Sequence, residues 1–92
     1  MQQFPLVSIV TPTYNQAQYL AETIDSVLEQ DYPNVEYIVL DDGSTDDTSS
    51  VLERYNGLIR HERHANMGQA RTLNCGWAMT NGQIIGYLSS DD

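Results

Sequence analysis

The chain alternates four short strand-like runs with three segments of helical periodicity, and this alternation limits its fold more than any other feature. Three of the runs are apolar and lie at residues 6–11, 35–40 and 84–88. The run at residues 58–63 is a weaker strand of alternating polarity, which predicts a position near an edge of the sheet. Because the connections are short and the order is β-α-β-α-β-α-β, the strands are expected to run parallel, with helices on both faces of the sheet. The sequence predicts an α/β fold, with a three-layer, Rossmann-like parallel sheet of about four strands and three helices.

Two of the helical segments carry specific predictions. The second is expected to begin at a hydroxyl cap at residues 44–45, with Asp46 and Asp47 in its first turn, where acids favour the positive end of the helix dipole. The third is expected to open at residues 66–68, with Cys75 as a small core residue. Three apolar residues share one side of this third helix: Ala70, Leu73 and Trp77.

Acidic residues dominate the charge of the chain and come in pairs. Thirteen acids face four arginines and no lysine, which gives a formal net charge of −9. Nucleic acid and anionic membranes are disfavoured as partners because they are usually bound by clusters of Lys and Arg. The pairs Asp41-Asp42 and Asp91-Asp92 follow apolar runs closely. Adjacent carboxylates repel unless a proton, a cation or a hydrogen-bond donor intervenes.

The sequence also predicts a cellular location. A single cysteine, Cys75, excludes an intrachain disulfide framework and fits a reducing compartment. The first residues lack the basic segment and apolar run of a signal peptide, and no apolar run approaches the roughly 20 residues that span a bilayer. We therefore expect a cytoplasmic protein, with membrane association left open for a longer, full-length protein.

Polar clusters end three of the four predicted strands, at residues 11–15, 41–44 and 89–92. In open parallel sheets ligands bind at the carboxyl ends of the strands, so these clusters predict a shared site. The Gly-rich phosphate-binding motifs of P-loop and dinucleotide-binding proteins are absent, since the first strand leads into Pro12-Thr13-Tyr14-Asn15. With no lysine in the chain, a divalent cation is the natural group to neutralise a bound phosphate.

Six motifs occur in order along nearly the whole chain. They are VSIVTPTYN at 7–15, IVLDDGSTD at 38–46, NxGQ at 66–69, LNxG at 73–76, GxII at 82–85 and SDD at 90–92. At this spacing the set resembles the glycosyltransferases of family 2, which have the GT-A fold. The resemblance implies that residues 1–92 are the N-terminal, nucleotide-binding part of a glycosyltransferase domain that is truncated after its acidic motif.

The same resemblance assigns the nucleotide base to two loops. Tyr14 would pack on a uracil-type ring, with Thr11 and Pro12 lining the edge of the base. Asp42 would accept a hydrogen bond from the base, a task that suits a carboxylate because it only accepts and its charge strengthens the bond. Asp41 is interpreted as a structural residue.

The phosphates are assigned to the acidic motif. By resemblance Asp92 binds Mg²⁺ or Mn²⁺ between the two phosphates, and Asp91 binds the ribose or assists the metal. Ser89 stands where family members often have Asp or Asn, so this is a reduced form of the motif. Arg71 is the candidate cation on the phosphate side, with a surface salt bridge as the alternative.

Four further residues are interpreted as structural. Gly68 and Gln69 are expected to shape the turn before the third helix. His61 and His64 would lack a third ligand for a metal site and are predicted to lie on a solvated edge.

The function implied by the resemblance is inverting transfer of a sugar from a nucleoside-diphosphate sugar, favouring a UDP-sugar, to the hydroxyl of a saccharide or lipid-linked acceptor. The general base and acceptor pocket would lie beyond residue 92, so no catalytic residue is assigned and the 92-residue chain is expected to bind donor without turnover. The outer edge of the fourth strand predicts self-association into dimers or larger species.

Two other classes of protein also combine a parallel sheet with acidic residues that bind a divalent cation. A metal-dependent nucleotidyltransferase usually has a Gly-rich, basic loop after the first strand, and a phosphoacceptor receiver domain has acids there. This chain has Thr-Pro-Thr-Tyr-Asn at residues 11–15. Both alternatives are therefore disfavoured.

Overall fold

The computed structural model describes residues 5–30, 33–82 and 84–88. The elements are β1 (Val7–Thr13), α1 (Ala17–Leu28), β2 (Val35–Asp42), α2 (Thr48–Glu53), β3 (Arg60–His64), α3 (Gln69–Ala78) and β4 (Ile84–Tyr87). All strand pairs are parallel, and the strand order is β3-β2-β1-β4. The chain therefore winds outward from β1 to β3 and then returns to place β4 on the other side of β1. The predicted α/β parallel fold is confirmed.

The main core lies between the sheet and helices α1 and α2. Side chains of a strand alternate between the two faces of the sheet, so Tyr37 and Val39 of β2 point to this side together. They contact Leu20 and Ile24 of α1 and Leu52 of α2 in one buried cluster. Burying each large aliphatic side chain contributes about 1.5–3 kcal/mol, so this cluster holds the short helix α2 against the sheet.

Helix α3 covers the opposite face and comes very close to it. A Cβ atom on Gly76 would overlap the Val10 side chain and would lie 3.1 Å from Leu40 Cδ1. Thr72, one turn earlier, is also fully buried. The inward stripe of α3 is therefore made of small residues, which allows the helix backbone to approach β1 and β2.

This close approach corrects two predictions about α3. Trp77 is 40% exposed, Ala70 is exposed and Leu73 is half-buried, so the fully buried side of the helix is not the side with these apolar residues. Cys75 is exposed, and its interpretation as a core residue was wrong. The apolar pattern failed because the buried positions of this helix are selected for small size, which hydropathy does not measure.

Helix α2 begins later than the sequence suggested. Its first residue is Thr48 and its N-cap is Asp47, so Asp46 and Asp47 precede the first turn instead of occupying it. Asp46 Oδ1 accepts hydrogen bonds from the backbone N–H of Thr48, at 3.0 Å, and from the Thr48 hydroxyl. The acid still satisfies a free N–H at the helix start, but from outside the helix.

The two edge strands differ in character. β3 shows the exposed, charged pattern predicted for an edge, and β4 forms the other edge beside β1. Pro12 extends β1 beyond its predicted end. Val10 O accepts from Leu88 N, so by alternation the nitrogen of Pro12 faces the β4 side, past the last β1–β4 pair. Self-association through β4 stays a prediction.

No helix in the described ranges is long and apolar enough to cross a membrane.

Glu36 of β2 is hydrogen-bonded to β1 and to the segment that follows α3. Its Oε1 accepts hydrogen bonds from the backbone N–H of Asn81 at 2.9 Å and from the Ser8 hydroxyl at 2.8 Å. The Asn81 N–H and then the Ser8 hydroxyl hold the pKa of the Glu36 carboxyl below its usual value of 4.5. The charged form of Glu36 is therefore favoured in the folded state.

We expect Gly76→Ala to lower the free energy of unfolding by about 1–3 kcal/mol because the new methyl group overlaps Val10. In an uncrowded helix the same change would raise stability by roughly 1 kcal/mol, so the sign of the effect is the test. Urea denaturation followed by circular dichroism measures it. Cys75→Ala, on the exposed side of the same helix, should change stability by less than about 0.5 kcal/mol. A more stable Gly76→Ala variant would contradict the close packing.

A lowered pKa in the folded state makes Glu36 stabilising above its unfolded pKa of 4.5, and this contribution is lost as the pH falls through the lower folded value. Glu36→Gln should therefore flatten the decline in stability below pH 4.5. Thermal unfolding measured at a series of acid pH values gives the slope. Glu22→Gln, at an exposed position of α1, is the control and should keep the wild-type slope. An equal slope in Glu36→Gln and wild type would contradict the assignment.

Candidate functional site at the carboxyl edge of the sheet

A pocket of about 330 Å³ opens at the carboxyl ends of β1 and β2, against the start of α3. Its lining comes from three places in the chain, the end of β1 with the loop after it, the end of β2, and the loop before α3 with the first residue of that helix: Pro12, Thr13, Tyr14, Gln16, Asp42, Asn66, Gly68 and Gln69. Beside it, the chain reverses its winding direction between β1 and β4. Open parallel sheets bind ligands at such a switch point, at the carboxyl ends of the strands.

Asp42, the last residue of β2, is buried beneath the pocket. Its Oδ1 accepts from the backbone N–H of Met67 at 2.8 Å, and its Oδ2 accepts from the backbone N–H of Gly68 at 3.1 Å. The Asn66 side chain adds a longer contact of 3.4 Å to Oδ2. Asp42 therefore anchors the loop before α3. The two carboxylate oxygens have four lone pairs and accept from three donors, so some acceptor capacity remains.

His64 lies beside Asp42 in the β2–β3 ladder. Its Nδ1 is 2.9 Å from the carbonyl oxygen of Ala65 and 3.5 Å from Asp42 Oδ1. Since a carbonyl oxygen only accepts, Nδ1 carries the hydrogen. Nε2 is buried and has no partner among the described residues. His64 is thus a half-buried neighbour of the site on the edge strand β3, whereas His61 contacts Asn56 at an exposed position.

Asp41 points away from the pocket and holds the turn after β2. It is fully buried, and its Oδ1 accepts from the backbone N–H of Ser44 at 2.9 Å. Gly43, between them, has a φ of +74°, and a Cβ there would lie 2.7 Å from the backbone nitrogen of Asn66. The turn after β2 and the loop before α3 are therefore in direct contact.

The structure brings three of the predicted base-site residues together and leaves one apart. Pro12, Tyr14 and Asp42 all line the pocket, and Tyr14 is 47% exposed. Thr11 is fully buried, and its hydroxyl lies 2.8 Å from the hydroxyl of Tyr37 in the core. Burial raises the pKa of Tyr37 to about 12, against the opposing effect of the Thr11 hydrogen bond. The structure therefore places Thr11 below the pocket and not in its lining.

Three residues at the start of α3 were singled out in the sequence, and two of them line the pocket. Arg71 is exposed, does not line the pocket, and makes no ion pair with any residue that the structure describes. Gly68 and Gln69, interpreted as turn residues, are themselves part of the lining. Gly68 is the N-cap of α3 with a φ of +92°, a conformation that glycine adopts without strain.

The predicted metal ligands Asp91 and Asp92 lie outside the described residues. Within the described ranges no group of three or more His, Cys, Asp or Glu side chains could hold a metal ion. Two carboxylates are nevertheless a donor set that suits Mg²⁺ or Mn²⁺, because these hard cations prefer oxygen ligands and keep water and phosphate oxygens in their other positions. β4 runs parallel to β1, so the carboxyl end of β4, at Tyr87, lies at the same end of the sheet as the pocket.

A parallel sheet of this order, with a pocket at the carboxyl ends of β1 and β2, has the architecture of the N-terminal part of a GT-A fold. Residues 8–92 match the family model described as glycosyl transferase family 2, and the chain belongs to this family.

Sequence relatives agree with this assignment. The chain is 44% identical over 88 residues to a glycosyltransferase of Rickettsia prowazekii, covering 96% of this chain and 28% of that protein. It is 37% identical over 92 residues to TuaG of Bacillus subtilis, a putative teichuronic acid biosynthesis glycosyltransferase, covering 96% of this chain and 36% of TuaG. The chain thus spans well under two thirds of either relative.

Solved structures show the same architecture. The mannosyltransferase PcManGT of Pyrobaculum calidifontis, in complex with GDP-Man and Mn²⁺, matches with a TM-score of 0.83 and 32% identity over 95% of this chain and 28% of that one. TarS of S. aureus, in complex with UDP-GlcNAc, matches with a TM-score of 0.84 and 29% identity over 94% of this chain and 26% of that one.

We expect Asp42→Ala to lower the free energy of unfolding by about 1.5–3 kcal/mol because two backbone N–H groups lose a charged acceptor. Hydrogen exchange of the Met67 and Gly68 amides should accelerate at the same time. Asp47→Ala is the matched control, since Asp47 is exposed and makes no side-chain cap bond, and it should change stability by less than about 0.5 kcal/mol. Unchanged exchange at Met67 and Gly68 would contradict the anchoring role of Asp42.

Proposed function

We propose that this chain is the donor-binding part of an inverting glycosyltransferase, which transfers a sugar from a nucleoside-diphosphate sugar, with UDP-sugars favoured, to an acceptor hydroxyl. The observation that carries the proposal is the meeting of Tyr14 and Asp42 in one pocket at the carboxyl ends of β1 and β2. An aromatic ring and a charged acceptor are the two groups that a pyrimidine base needs, one for its face and one for its N–H. Family membership and the donors bound by the structural neighbours support it.

The described residues would act on the base as follows. Tyr14 packs against one face of the ring, and Pro12 limits its edge. Asp42 accepts the N–H of the base with a lone pair that the loop amides leave free. This arrangement orients the nucleotide so that its diphosphate extends toward the carboxyl end of β4.

Asp91 and Asp92 follow β4 in the sequence and are proposed to hold the divalent cation. When bound, Mg²⁺ or Mn²⁺ supplies Lewis-acid stabilisation of the charge that grows on the departing diphosphate. The general base that deprotonates the acceptor is proposed to belong to a longer protein, together with the acceptor pocket. The 92-residue chain is therefore proposed to bind donor without transferring sugar, and the protein is proposed to be cytoplasmic.

Titration calorimetry with UDP and Mn²⁺ tests the donor site. We expect Tyr14→Ala to weaken UDP binding by about 5- to 150-fold, the equivalent of a stacking contribution of about 1–3 kcal/mol, whereas Tyr14→Phe keeps the ring and most of the affinity. Tyr19→Ala is the matched control, because Tyr19 is equally exposed, at 47%, but does not line the pocket. Chelation of Mn²⁺ should also weaken binding.

Three outcomes would contradict parts of the proposal. Equal UDP affinity in Tyr14→Ala and wild type would remove Tyr14 from the site. Tighter binding of GDP than of UDP would redirect the proposal to guanosine-linked donors. Release of sugar onto an acceptor by the 92-residue chain alone would refute the proposed lack of transfer.

A further inference from the structure

We propose that Asn15 is a positioning residue, which fixes Tyr14 over the nucleotide pocket by fastening the loop after β1 to the loop after β2. The inference rests on the proposed function for its ligand. It adds a residue that does not line the pocket and whose side chain would not touch the nucleotide.

The backbone of Asn15 adopts an unusual conformation. Its φ of +52° is the one positive value at a non-glycine residue in the described ranges. Asparagine tolerates this left-handed region better than most residues, which lose about 1–2 kcal/mol there. The turn directs its neighbours Tyr14 and Gln16 to the nucleotide pocket, while Asn15 itself lines a separate depression with Asp46.

Two hydrogen bonds join Asn15 to the loop after β2. Its backbone N–H donates to Ser44 Oγ at 2.9 Å, and its side-chain Oδ1 accepts from the backbone N–H of Thr45 at 2.7 Å. The Thr45 hydroxyl adds a longer contact of 3.4 Å to the same oxygen. We call this set of contacts between Asn15, Ser44 and Thr45 the loop clasp.

The far side of the clasp is itself fixed. The Ser44 N–H donates to the buried carboxylate of Asp41, and the Ser44 carbonyl accepts from Arg63 at 2.9 Å. Asp41 directly precedes Asp42 in β2. A displacement of the clasp would therefore change the position of Tyr14 relative to Asp42, the two groups proposed to hold the base.

Tyr14 depends on the clasp because its own side chain is weakly restrained. The ring is nearly half exposed, and the hydroxyl makes no hydrogen bond to a described residue. A second tie, from the backbone N–H of Ala17 to Asp46 Oδ2 at 3.2 Å, holds the other end of the same loop. The backbone of Asn15 thus sets the direction in which the Tyr14 ring leaves the sheet.

The test is a double-mutant cycle in the 92-residue protein, measured as UDP affinity in the presence of Mn²⁺. A salt concentration of about 0.15 M limits the repulsion between Asp46 and the charge that the Asn15→Asp variant introduces. Asn15→Gly keeps the positive φ but removes the Oδ1 acceptor, and we expect UDP binding about three- to tenfold weaker. Asn15→Asp keeps both the acceptor and the tolerance of this φ, so it should bind within about twofold of wild type. In the Tyr14→Ala background, Asn15→Gly should have no further effect, because coupled residues are non-additive.

Two further measurements separate positioning from general stability. The Thr45 amide should exchange faster in Asn15→Gly than in wild type or Asn15→Asp, without any ligand present. Ser44→Ala removes the other bond of the clasp and gives a second route to the same loss of affinity if Asn15→Gly folds poorly. Asn56→Gly, at an asparagine in the turn before β3, is the matched control and should leave UDP affinity unchanged.

The outcomes distinguish this inference from the proposed function. If the wild-type protein binds UDP, two results would overturn the positioning role alone. One is full UDP affinity in Asn15→Gly. The other is a loss of affinity in the double mutant that equals the sum of the losses in Tyr14→Ala and Asn15→Gly. Absence of UDP binding by the wild-type protein, with the Thr45 amide still protected, would overturn the proposed function and with it the role of Asn15 toward the nucleotide.

Discussion

The parallel ladder between β1 and β2 is the constraint on which the rest of the structure depends. It pairs the two strands in one register from Val7 with Val35 to Thr13 with Asp41. The next residues along the strands are Tyr14 and Asp42, so the ladder delivers an aromatic ring and a carboxylate to the same edge of the sheet. A shift of one residue would turn one of them to the opposite face, because strand side chains alternate.

Asp42 has a structural role in the fold and is also the proposed acceptor for the nucleotide base. Its bonds to the amides of Met67 and Gly68 close the loop before α3, and that loop forms one wall of the pocket. A buried carboxylate without donors would be costly, so the loop amides also make the charge tolerable at this position. Binding of a base N–H would add a further donor to a carboxylate that the fold has already oriented.

Much of the fold and part of the site could be predicted from the sequence. Local patterns predict the order of strands and helices along the chain, the edge position of β3 and the location of Pro12 and Tyr14 at one end of the sheet. They do so because apolar periodicity and turn residues act over a few positions. The burial of Thr11 could not be predicted, since the choice of face at the end of β1 is decided by its partner Tyr37 on β2. Nor could the contact between His64 and Asp42, which depends on the register of β2 with β3.

The sequence by itself determined that the chain forms a parallel α/β sheet with its polar residues at the strand ends, because these features depend on short-range periodicity. The tertiary structure alone decided which of those residues share a pocket and which support it. The clasp at Asn15, the small inward stripe of α3 at Gly76 and the exposure of Cys75 all result from contacts between residues distant in the chain. Such contacts are set by strand register and helix distance, two quantities that no local pattern encodes.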